Sequence, residues 1–407
     1  MKNKNINLKG GVFLMLEKKT YDKLLGHAFD IPVKVEYWDG TSEVYGEGTP
    51  ETVIQLKKAI PIKELTSLPT LTLGEAYMNG DIEVKGDLQE LVASAYRSVN
   101  SFVTDNSGFL KFLPKVSHSE KNSKEDVQSH YDIGNDFYRL WLDESMTYSC
   151  AYFKNENDSL GQAQENKIRH VLTKLNPEAG KTLVDIGCGW GSLLFMAAEE
   201  FGLKATGITL SQEQYDQVKE EIKTKGLEGQ VDVYLEDYRE VEEKFDYATS
   251  IGMFEHVGKE NLPKYFEQVQ KLLIPNGRAL IHGITGQHEG VGSDPFLAKY
   301  IFPGGYIPNV AENLTNIMNA GLQLTDLEPL RRHYQKTLEI WYQNYLEHID
   351  TVVDRYGEPF SRMWSLYLQA CAASFEAGNI DVLQYLLVNG TSGYGLPMTR
   401  EYMYKNS

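Results

Sequence analysis

Three alternate glycines form the segment of this chain with the clearest chemical meaning. Gly187, Gly189 and Gly191 follow an apolar strand pattern at Thr182–Ile186 and precede an apolar helical pattern that begins at Ser192. Glycine allows positive φ angles and lets the backbone approach a ligand without an intervening side chain. A parallel sheet places such a turn at the carboxyl end of its strand, where nucleotide-like ligands bind. The turn predicts a nucleoside-binding site, with a ligand-free strand-to-helix turn as the alternative.

The spacing of these glycines separates two classes of cofactor. The dinucleotide fingerprint is G-x-G-x-x-G, whereas this chain has G-x-G-x-G with Asp185 two residues before the first glycine. This form resembles the first motif of class I S-adenosylmethionine (SAM) methyltransferases, whose cofactor is a nucleoside without phosphates. The spacing therefore disfavours a nicotinamide-dependent dehydrogenase.

Strands and helices alternate around this turn, as in a parallel α/β sheet. We predict the clearest helix at Gln212–Lys225, and the pattern from Lys336 to Leu387 is helical and aromatic. The predicted strands are Thr182–Ile186, Lys204–Leu210, Val231–Leu235, Tyr247–Ile251 and Arg278–Ile284.

The first hundred or so residues predict a separate, small α+β unit. Its strands fall within Phe29–Thr41 and at Thr52–Leu56, and its helices at Leu71–Gly80 and Leu88–Val99. A polar stretch, Ser117–Lys124, is typical of a linker. The expected domains are residues 1–115, a linker at 116–124, and a second domain at 125–407 with helical elements near its carboxyl end that cover the substrate.

The composition limits the partners of the protein. The 407 residues carry a formal net charge of −17, which argues against nucleic acid because phosphate binding needs a basic surface. The apolar runs are too short to span a bilayer, and we predict no signal peptide. Cys150, Cys188 and Cys371 have neither metal-ligand spacing nor a disulfide pattern, which is typical of a reducing cytoplasm. The lysines near the amino terminus are compatible with a membrane contact and equally with a solvated tail.

Four further motifs carry a resemblance that covers roughly Lys124 to the end of the sequence. They are His130–Tyr138, Thr147–Phe153, Met253–Gly258 and Tyr300–Gly305. Together they resemble cyclopropane-fatty-acyl-phospholipid synthases and the related mycolic acid cyclopropane synthases. The resemblance implies a class I SAM methyltransferase fold, Rossmann-like, with a mostly parallel seven-stranded sheet. It also implies that the small amino-terminal domain faces lipid, and it implies a homodimer.

The resemblance assigns cofactor contacts to specific positions. Thr209 stands at the end of the second strand, where most class I methyltransferases have an acid; core packing is the alternative for it. Asp237 and Tyr238 would contact adenine, or form an exposed turn with an aromatic lid. The full set is Tyr148, Ser149, Asp185, Gly187, Gly189, Gly191, Thr209, Gln214, Asp237 and Tyr238.

The resemblance also implies a bound bicarbonate as the base. Methyl transfer from SAM to a cis double bond leaves a carbocation, and loss of a proton from the new methyl closes a cyclopropane ring. A side-chain base beside a carbocation risks alkylation, whereas a held anion of low nucleophilicity does not. Glu255 would accept the proton of the anion and His282 and Tyr334 would donate to it. The matching positions are Cys150, Glu255, His282, Ile284 through its backbone, and Tyr334.

Taken singly, these residues have simpler interpretations. Cys150 could be a small buried hydrophobe, His282 a core histidine and Tyr334 a surface residue. Together, the motifs predict a cytoplasmic enzyme, attached peripherally to the inner face of the membrane, that forms cyclopropane fatty acids in unsaturated phospholipids. The alternatives are a C-methyltransferase of acyl groups, with a methylated, non-cyclised product, and a non-catalytic lipid-binding protein.

Overall fold

The protein folds into two units, and neither of them is continuous in sequence. The structure, a computed structural model, describes residues 20–105, 134–288, 294–391 and 393–405. The first unit comprises Met1–Leu113 and Ile349–Ala377, and the second comprises Pro114–His348 and Gly378–Ser407. The predicted linker and residues 130–133 of the His130–Tyr138 motif lie outside the described residues.

The described strands belong to two sheets, one in each unit. They are β1 Val33–Glu36, β2 Ser42–Tyr45, β3 Thr52–Leu56, β4 Ile82–Lys85, β5 Thr182–Ile186, β6 Lys204–Thr209, β7 Val231–Leu235, β8 Phe245–Ile251, β9 Leu273–Gly286, β10 Gln323–Pro329 and β11 Ile380–Val388.

The described α-helices lie between these strands in both units. They are α1 Ile62–Ser67, α2 Pro69–Met78, α3 Leu88–Asp105, α4 Asn135–Tyr138, α5 Leu160–Leu175, α6 Ser192–Glu199, α7 Gln212–Lys225, α8 Leu262–Leu272, α9 Pro295–Tyr300, α10 Val310–Asn319, α11 Arg331–Glu347, α12 Ile349–Tyr356, α13 Glu358–Ala377 and α14 Glu401–Lys405. None of these described helices combines the length and the apolar character needed to cross a membrane.

The second unit contains a seven-stranded sheet with the strand order β10-β11-β9-β8-β5-β6-β7. The strands from β9 to β7 pair in parallel, and β11 runs antiparallel to both of its neighbours. The mostly parallel seven-stranded sheet expected from the sequence is therefore confirmed. The five predicted strands are present, although β9 extends well beyond the predicted Arg278–Ile284 at both ends.

The expectation of a helical carboxyl end from Lys336 to Leu387 is wrong for its last residues. Ile380–Val388 forms β11, and every one of its nine residues is buried. A strand that is buried on both faces shows no alternation of apolar and polar residues, so its pattern resembles that of a buried helix. The neighbouring edge strand, Gln323–Pro329, is also missing from the predicted strands.

Helices cover both faces of this sheet, as the alternation of strands and helices requires. Leu183 on β5 packs with residues of α5, α6 and α7. Its neighbour Val184 points to the opposite face and packs with residues of α8 and α10. Local signals fix the helix bounds: α7 begins after Ser211, whose hydroxyl caps it, and ends at Gly226, which has a φ of 67°.

The first unit has a four-stranded sheet with the order β2-β1-β3-β4 and is completed by helices from late in the sequence. Arg362 on α13 donates to the carbonyls of Tyr77 (2.6 Å) and Ile82 (2.9 Å) and to the carboxylate of Glu83 (3.1 Å). The expected domain bounds are wrong for Ile349–Ala377, which they assign to the second domain. Local sequence patterns do not reveal that this segment belongs to the first unit, because the contacts that show it join residues about 280 positions apart.

Candidate active site

All ten predicted cofactor positions line one cavity in the second unit. The cavity lies at the carboxyl ends of four adjacent parallel strands, β8, β5, β6 and β7. Thr209 ends β6, whereas Gly252, Gly187 and Asp237 follow β8, β5 and β7, respectively. Ligands of open α/β sheets bind at this edge because the loops after the strands diverge there. The geometry therefore matches the position expected for a nucleoside-containing cofactor.

The glycine turn forms one wall of the cavity with backbone atoms. Gly187, Gly189 and Gly191 have φ angles of 80°, 55° and 88°. The amides of Gly187 and Cys188 both donate to the carbonyl of Ile208, at 2.9 and 3.0 Å, which ties the turn to β6. A Cβ on Gly189 would meet no atom within 4 Å, so the space beside this residue is open to a ligand.

Asp185 is buried beneath this turn. It is 3% exposed, and its Oδ1 accepts a hydrogen bond from the hydroxyl of Thr249 on β8 at 2.7 Å. Burial raises the pKa of Asp185 to about 6. This carboxylate joins β5 to β8 and also contributes an acidic group to the cavity wall.

The end of β6 supplies polar groups in place of the acid usual in this fold. The Thr209 hydroxyl donates to Gln214 Oε1 at 2.7 Å and accepts from the Ser211 amide at 3.1 Å. Thr209 and Gln214 are both buried and both line the cavity. Thr209 is thus buried, which agrees with the alternative of core packing, and it also lines the cavity.

The turn after β7 differs from the exposed lid considered as an alternative. Tyr238 is only 7% exposed and packs edge-on against Tyr265, with ring centroids 5.8 Å apart. Asp237 Oδ1 accepts a hydrogen bond from Arg239 Nε at 2.8 Å. This ion pair orients the Asp237 carboxylate at the rim of the cavity.

The segment before α5 closes the cavity from another side. The ring of Tyr148 lies 5.3 Å from those of Trp141 and Trp341 in a cluster of aromatic side chains. The hydroxyl of Ser149 accepts a hydrogen bond from Lys167 Nζ at 2.8 Å. Trp141 and Trp341 are fully buried, so their rings form core beside the cavity.

Lys167 lines the cavity but was not singled out from the sequence. Its side chain is 2% exposed, and burial lowers the pKa of its ammonium group to about 8. The sequence contains no clear signal for it, because most of α5 is buried, including polar residues such as Gln164 and Lys174. A lysine is rarely buried to this extent unless its charge is paired.

Two of the five predicted base-site positions are in direct contact. The backbone amide of Ile284 on β9 donates to Glu255 Oε1 at 2.5 Å. Glu255 is 8% exposed, and burial raises the pKa of its carboxyl group to about 7, although the bond from Ile284 opposes this shift. The Tyr306 amide donates to the Glu255 carbonyl at 2.9 Å, which brings the segment after the Tyr300–Gly305 motif to this turn.

His282 lies two residues before Ile284 on the same strand. It is 1% exposed, its Nδ1 is 3.1 Å from Gln384 Nε2 on β11, and burial lowers the pKa of the imidazole well below its ordinary value. His282 Nε2 and Glu255 Oε2 are buried atoms without a hydrogen-bond partner among the described residues. Buried polar atoms of this kind are costly unless a ligand or water satisfies them. Each of these two atoms therefore remains available to a ligand or a water, one as an acceptor and the other as a donor or an acceptor.

Cys150 and Tyr334 both approach the backbone carbonyl of Leu330. Cys150 is fully buried, and its Sγ lies 4.0 Å from the carbonyl of Leu330. The Tyr334 amide donates to this same carbonyl at 3.1 Å, and the Leu330 amide donates to the Val382 carbonyl at 2.8 Å. Val382 is paired with Ile284 in the sheet. The simpler interpretation of Cys150 as a buried residue agrees with its surroundings, since its thiol donates to the carbonyl of Ala151 at 3.2 Å.

Comparison with known protein families gives matches to two different parts of this chain. A family model described as mycolic acid cyclopropane synthetase matches residues 118–385. A second model, described as a domain of unknown function, matches residues 20–107.

Curated relatives include enzymes with two different names. A probable fatty acid methyltransferase of Pseudomonas putida is 37% identical over 384 residues, which cover 92% of this chain and 97% of the relative. A cyclopropane-fatty-acyl-phospholipid synthase of Escherichia coli (strain K12) is 37% identical over 273 residues, which cover 67% of this protein and 70% of the relative.

Solved structures of similar proteins cover about two thirds of this chain. The cyclopropane synthase MmaA2 from Mycobacterium tuberculosis has a TM-score of 0.62 at 35% identity, and covers 65% of this chain and 98% of its own. The mycolic acid cyclopropane synthase CmaA1, solved with S-adenosylhomocysteine (SAH) and CTAB, has a TM-score of 0.62 at 33% identity with the same coverage. The class I SAM methyltransferase fold expected from the glycine turn is therefore confirmed. This protein belongs to the mycolic acid cyclopropane synthetase family of SAM-dependent methyltransferases.

Proposed function

We propose that this protein uses SAM to convert cis double bonds in the acyl groups of unsaturated phospholipids into cyclopropane rings, with a bound bicarbonate as the base. The observation that carries the proposal is the pair of buried atoms Glu255 Oε2 and His282 Nε2, which have no partner among the described residues. Bicarbonate presents one hydroxyl donor and several acceptor oxygens, so it would complement both a carboxylate acceptor and a ring N–H donor. Bound there, it would remove the proton whose loss closes the ring.

The protein itself would hold and orient this base. The Ile284 amide fixes one oxygen of Glu255, and the other oxygen remains to accept the hydroxyl proton of the anion. Gln384 donates to His282 Nδ1, which leaves the ring proton on Nε2 as a donor. The elevated pKa of Glu255, about 7, supplies a proton acceptor matched to neutral pH.

The cofactor would lie across the glycine turn with its adenine end toward Asp237 and Tyr238. Thr209 and Gln214 would face its ribose, and Tyr148 and Ser149 its methionine end. The aromatic cluster beside Tyr148 offers ring faces, which stabilise a developing positive charge. These assignments rest on the cavity that all of these residues share.

The proposal also assigns a role to the first unit, which is attachment to the membrane. An acyl double bond lies deep in a bilayer, so the enzyme would attach peripherally to the inner face of the cytoplasmic membrane and draw the acyl group out. The first unit would provide that attachment, and the enzyme would act as a homodimer. The amino-terminal lysines and apolar residues invoked for this role lie outside the described residues.

A second function is favoured by the lengths of the matches. The relatives that match most of the sequence include a probable fatty acid methyltransferase of Pseudomonas putida and the tuberculostearic acid methyltransferase UfaA1 of Mycobacterium tuberculosis, which match 92% and 89% of it. An enzyme of this kind would transfer the same methyl group, but the carbocation would lose a different proton. The product would then carry a methyl branch in place of a ring.

Product analysis separates the two functions. The full-length protein is incubated with SAM and vesicles of a dioleoyl phospholipid, and the lipids are examined by mass spectrometry and proton NMR. Ring closure adds one CH₂ per double bond and removes the alkene signals, whereas a methyl branch formed by loss of another proton adds the same mass and retains an alkene. Retained alkene signals in the product would refute ring formation.

The base is tested by removing carbonate from the reaction. We expect turnover of the parent enzyme to fall in carbonate-free buffer, and Glu255→Gln to be slow in both buffers. The exposed Glu260 follows five residues later, so Glu260→Gln is a matched control that should behave like the parent. Turnover of the parent that is indifferent to carbonate would refute the held-anion mechanism while leaving the product assignment intact.

A further inference from the structure

Lys167 is a buried cation that forms no direct ion pair with a carboxylate among the described residues. Its Nζ donates to Ser149 Oγ at 2.8 Å, and no carboxylate oxygen in the described part of the structure lies within the 4.0 Å salt-bridge distance. Lys174, about two turns further along α5, is instead paired with Glu328 and lies 3.9 Å from Asp326. An unpaired buried ammonium is costly, and a charge of this kind is retained where a ligand completes it.

Lys167 and Ser149 have hydrogen-bond donors that the described residues do not use. An ammonium group has three donor protons, and Ser149 takes one of them. Because the Ser149 oxygen accepts from Lys167, its own hydroxyl proton is directed elsewhere, and Ser149 donates to no acceptor among the described residues. Both residues line the cofactor cavity. Two donors, 2.8 Å apart at their heavy atoms, thus line a space in which an acceptor with two oxygens can bind to both.

The charges of the cavity wall match one end of the cofactor. SAM ends in an amino acid group, with one carboxylate and one ammonium. The wall that carries Lys167 also carries Asp185, whose carboxylate lies at the end of β5. Lys167 and Asp185 interact through space but form no direct ion pair, and both line the cavity. Such a cation and anion are together complementary to a zwitterion.

We propose that Lys167, together with the Ser149 hydroxyl, binds the α-carboxylate of SAM and selects for it. The assignment rests on SAM as the cofactor and adds the residue that would recognise its charged end. The ammonium is charged at neutral pH, since burial leaves the pKa of Lys167 at about 8.

Decarboxylated SAM tests this directly because it lacks only the carboxylate. Calorimetry on the full-length protein measures the affinities for SAM and for decarboxylated SAM, in the parent and in Lys167→Met. A hydrogen bond to a charged group contributes roughly 10- to 100-fold in affinity. We expect the parent to prefer SAM by about that factor, and Lys167→Met to lose most of the preference while its affinity for decarboxylated SAM stays nearly unchanged.

Lys174→Met is the matched control. It removes a second buried lysine from the same helix, but this lysine does not line the cavity. We expect it to lower thermal stability, since it removes the ammonium that pairs with Glu328 and leaves that carboxylate only His170, and to preserve the preference for SAM over decarboxylated SAM.

Several results would overturn the inference. Equal affinities of the parent for SAM and decarboxylated SAM would do so without any variant, even if Lys167→Met failed to fold. An equal loss for both ligands in Lys167→Met would indicate a structural role. An unchanged preference with a higher carbonate requirement for turnover would place Lys167 at the base instead. If the parent bound neither ligand, the cofactor assignment itself would fail, and the inference with it.

Discussion

Replacing Glu255 by glutamine should stabilise the folded protein at alkaline pH. Burial raises the pKa of the Glu255 carboxyl group from 4.5 to about 7 in the folded state. Between these values the unfolded protein loses its proton while the folded protein keeps it. The folded state then binds more protons, so its free energy of unfolding falls as the pH rises through this window. Glutamine has the same shape and does not titrate, so it removes this loss.

The size of the effect follows from the same two values. A difference of one pKa unit corresponds to about 1.4 kcal/mol, so the rise from 4.5 to about 7 corresponds to about 3 kcal/mol. The Ile284 amide can donate to the glutamine oxygen as it does to Glu255 Oε1. Any change in that hydrogen bond is independent of pH and cancels when the variant and the parent are compared at two pH values.

Urea unfolding of the ligand-free protein at several pH values between 4.5 and 8.5 measures the difference. We expect the free energy of unfolding of Glu255→Gln, relative to the parent, to increase by about 3 kcal/mol across this range. Asp246→Asn serves as the control. Burial alone would raise the pKa of Asp246, but hydrogen bonds from Thr182 and Lys181 outweigh it and hold the pKa below its ordinary value. Its variant should therefore differ from the parent by a constant amount above pH 5. A difference for Glu255→Gln that is equally constant would refute the buried, protonated state of this carboxyl group.

Three further substitutions test other parts of the structure. Gly189→Val should abolish SAM binding in calorimetry while the protein stays folded, because a branched side chain at a φ of 55° is strained and would fill the open side of the turn; unchanged affinity would remove the turn from the site. Gly283→Ala places a Cβ 2.3 Å from the Phe254 ring, so urea unfolding should show a loss of about 1–3 kcal/mol and turnover should fall; a neutral effect would mean that Phe254 can move. Arg362→Met removes the donors to Tyr77 and its neighbours, so hydrogen exchange in β4 should accelerate while SAM affinity is retained; unchanged exchange would show that α13 does not hold this sheet.

The sequence predicts the parts of the site that local patterns encode. Gly187, Gly189 and Gly191 and the strand before them identify the cofactor turn, because positive φ angles and strand periodicity are properties of adjacent residues. The helix Gln212–Lys225 is predicted with its observed bounds, since Ser211 and Gly226 mark its two ends.

Long-range packing accounts for what the sequence does not predict. The apolar run Ile380–Val388 is a strand because it fits between β9 and β10, which no local pattern shows. The sequence does not identify Lys167 as a candidate binding residue, because that role depends on the cavity that it lines together with Ser149 and Asp185. The roles of Cys150 and Tyr334 rest on the family resemblance alone and stay predictions.

The division of the first unit between two distant segments has a consequence for the newly synthesised protein. Its core cannot be completed until Ile349–Ala377 has left the ribosome, because Arg362 must reach the carbonyl of Tyr77, 285 residues earlier. At the usual rate of translation, the residues between the two segments take roughly 10–50 s to synthesise. During this time the faces of α2 and α3 that α13 will cover are open to chaperones and proteases. These faces of α2 and α3 are thus buried only after most of the second unit has been synthesised.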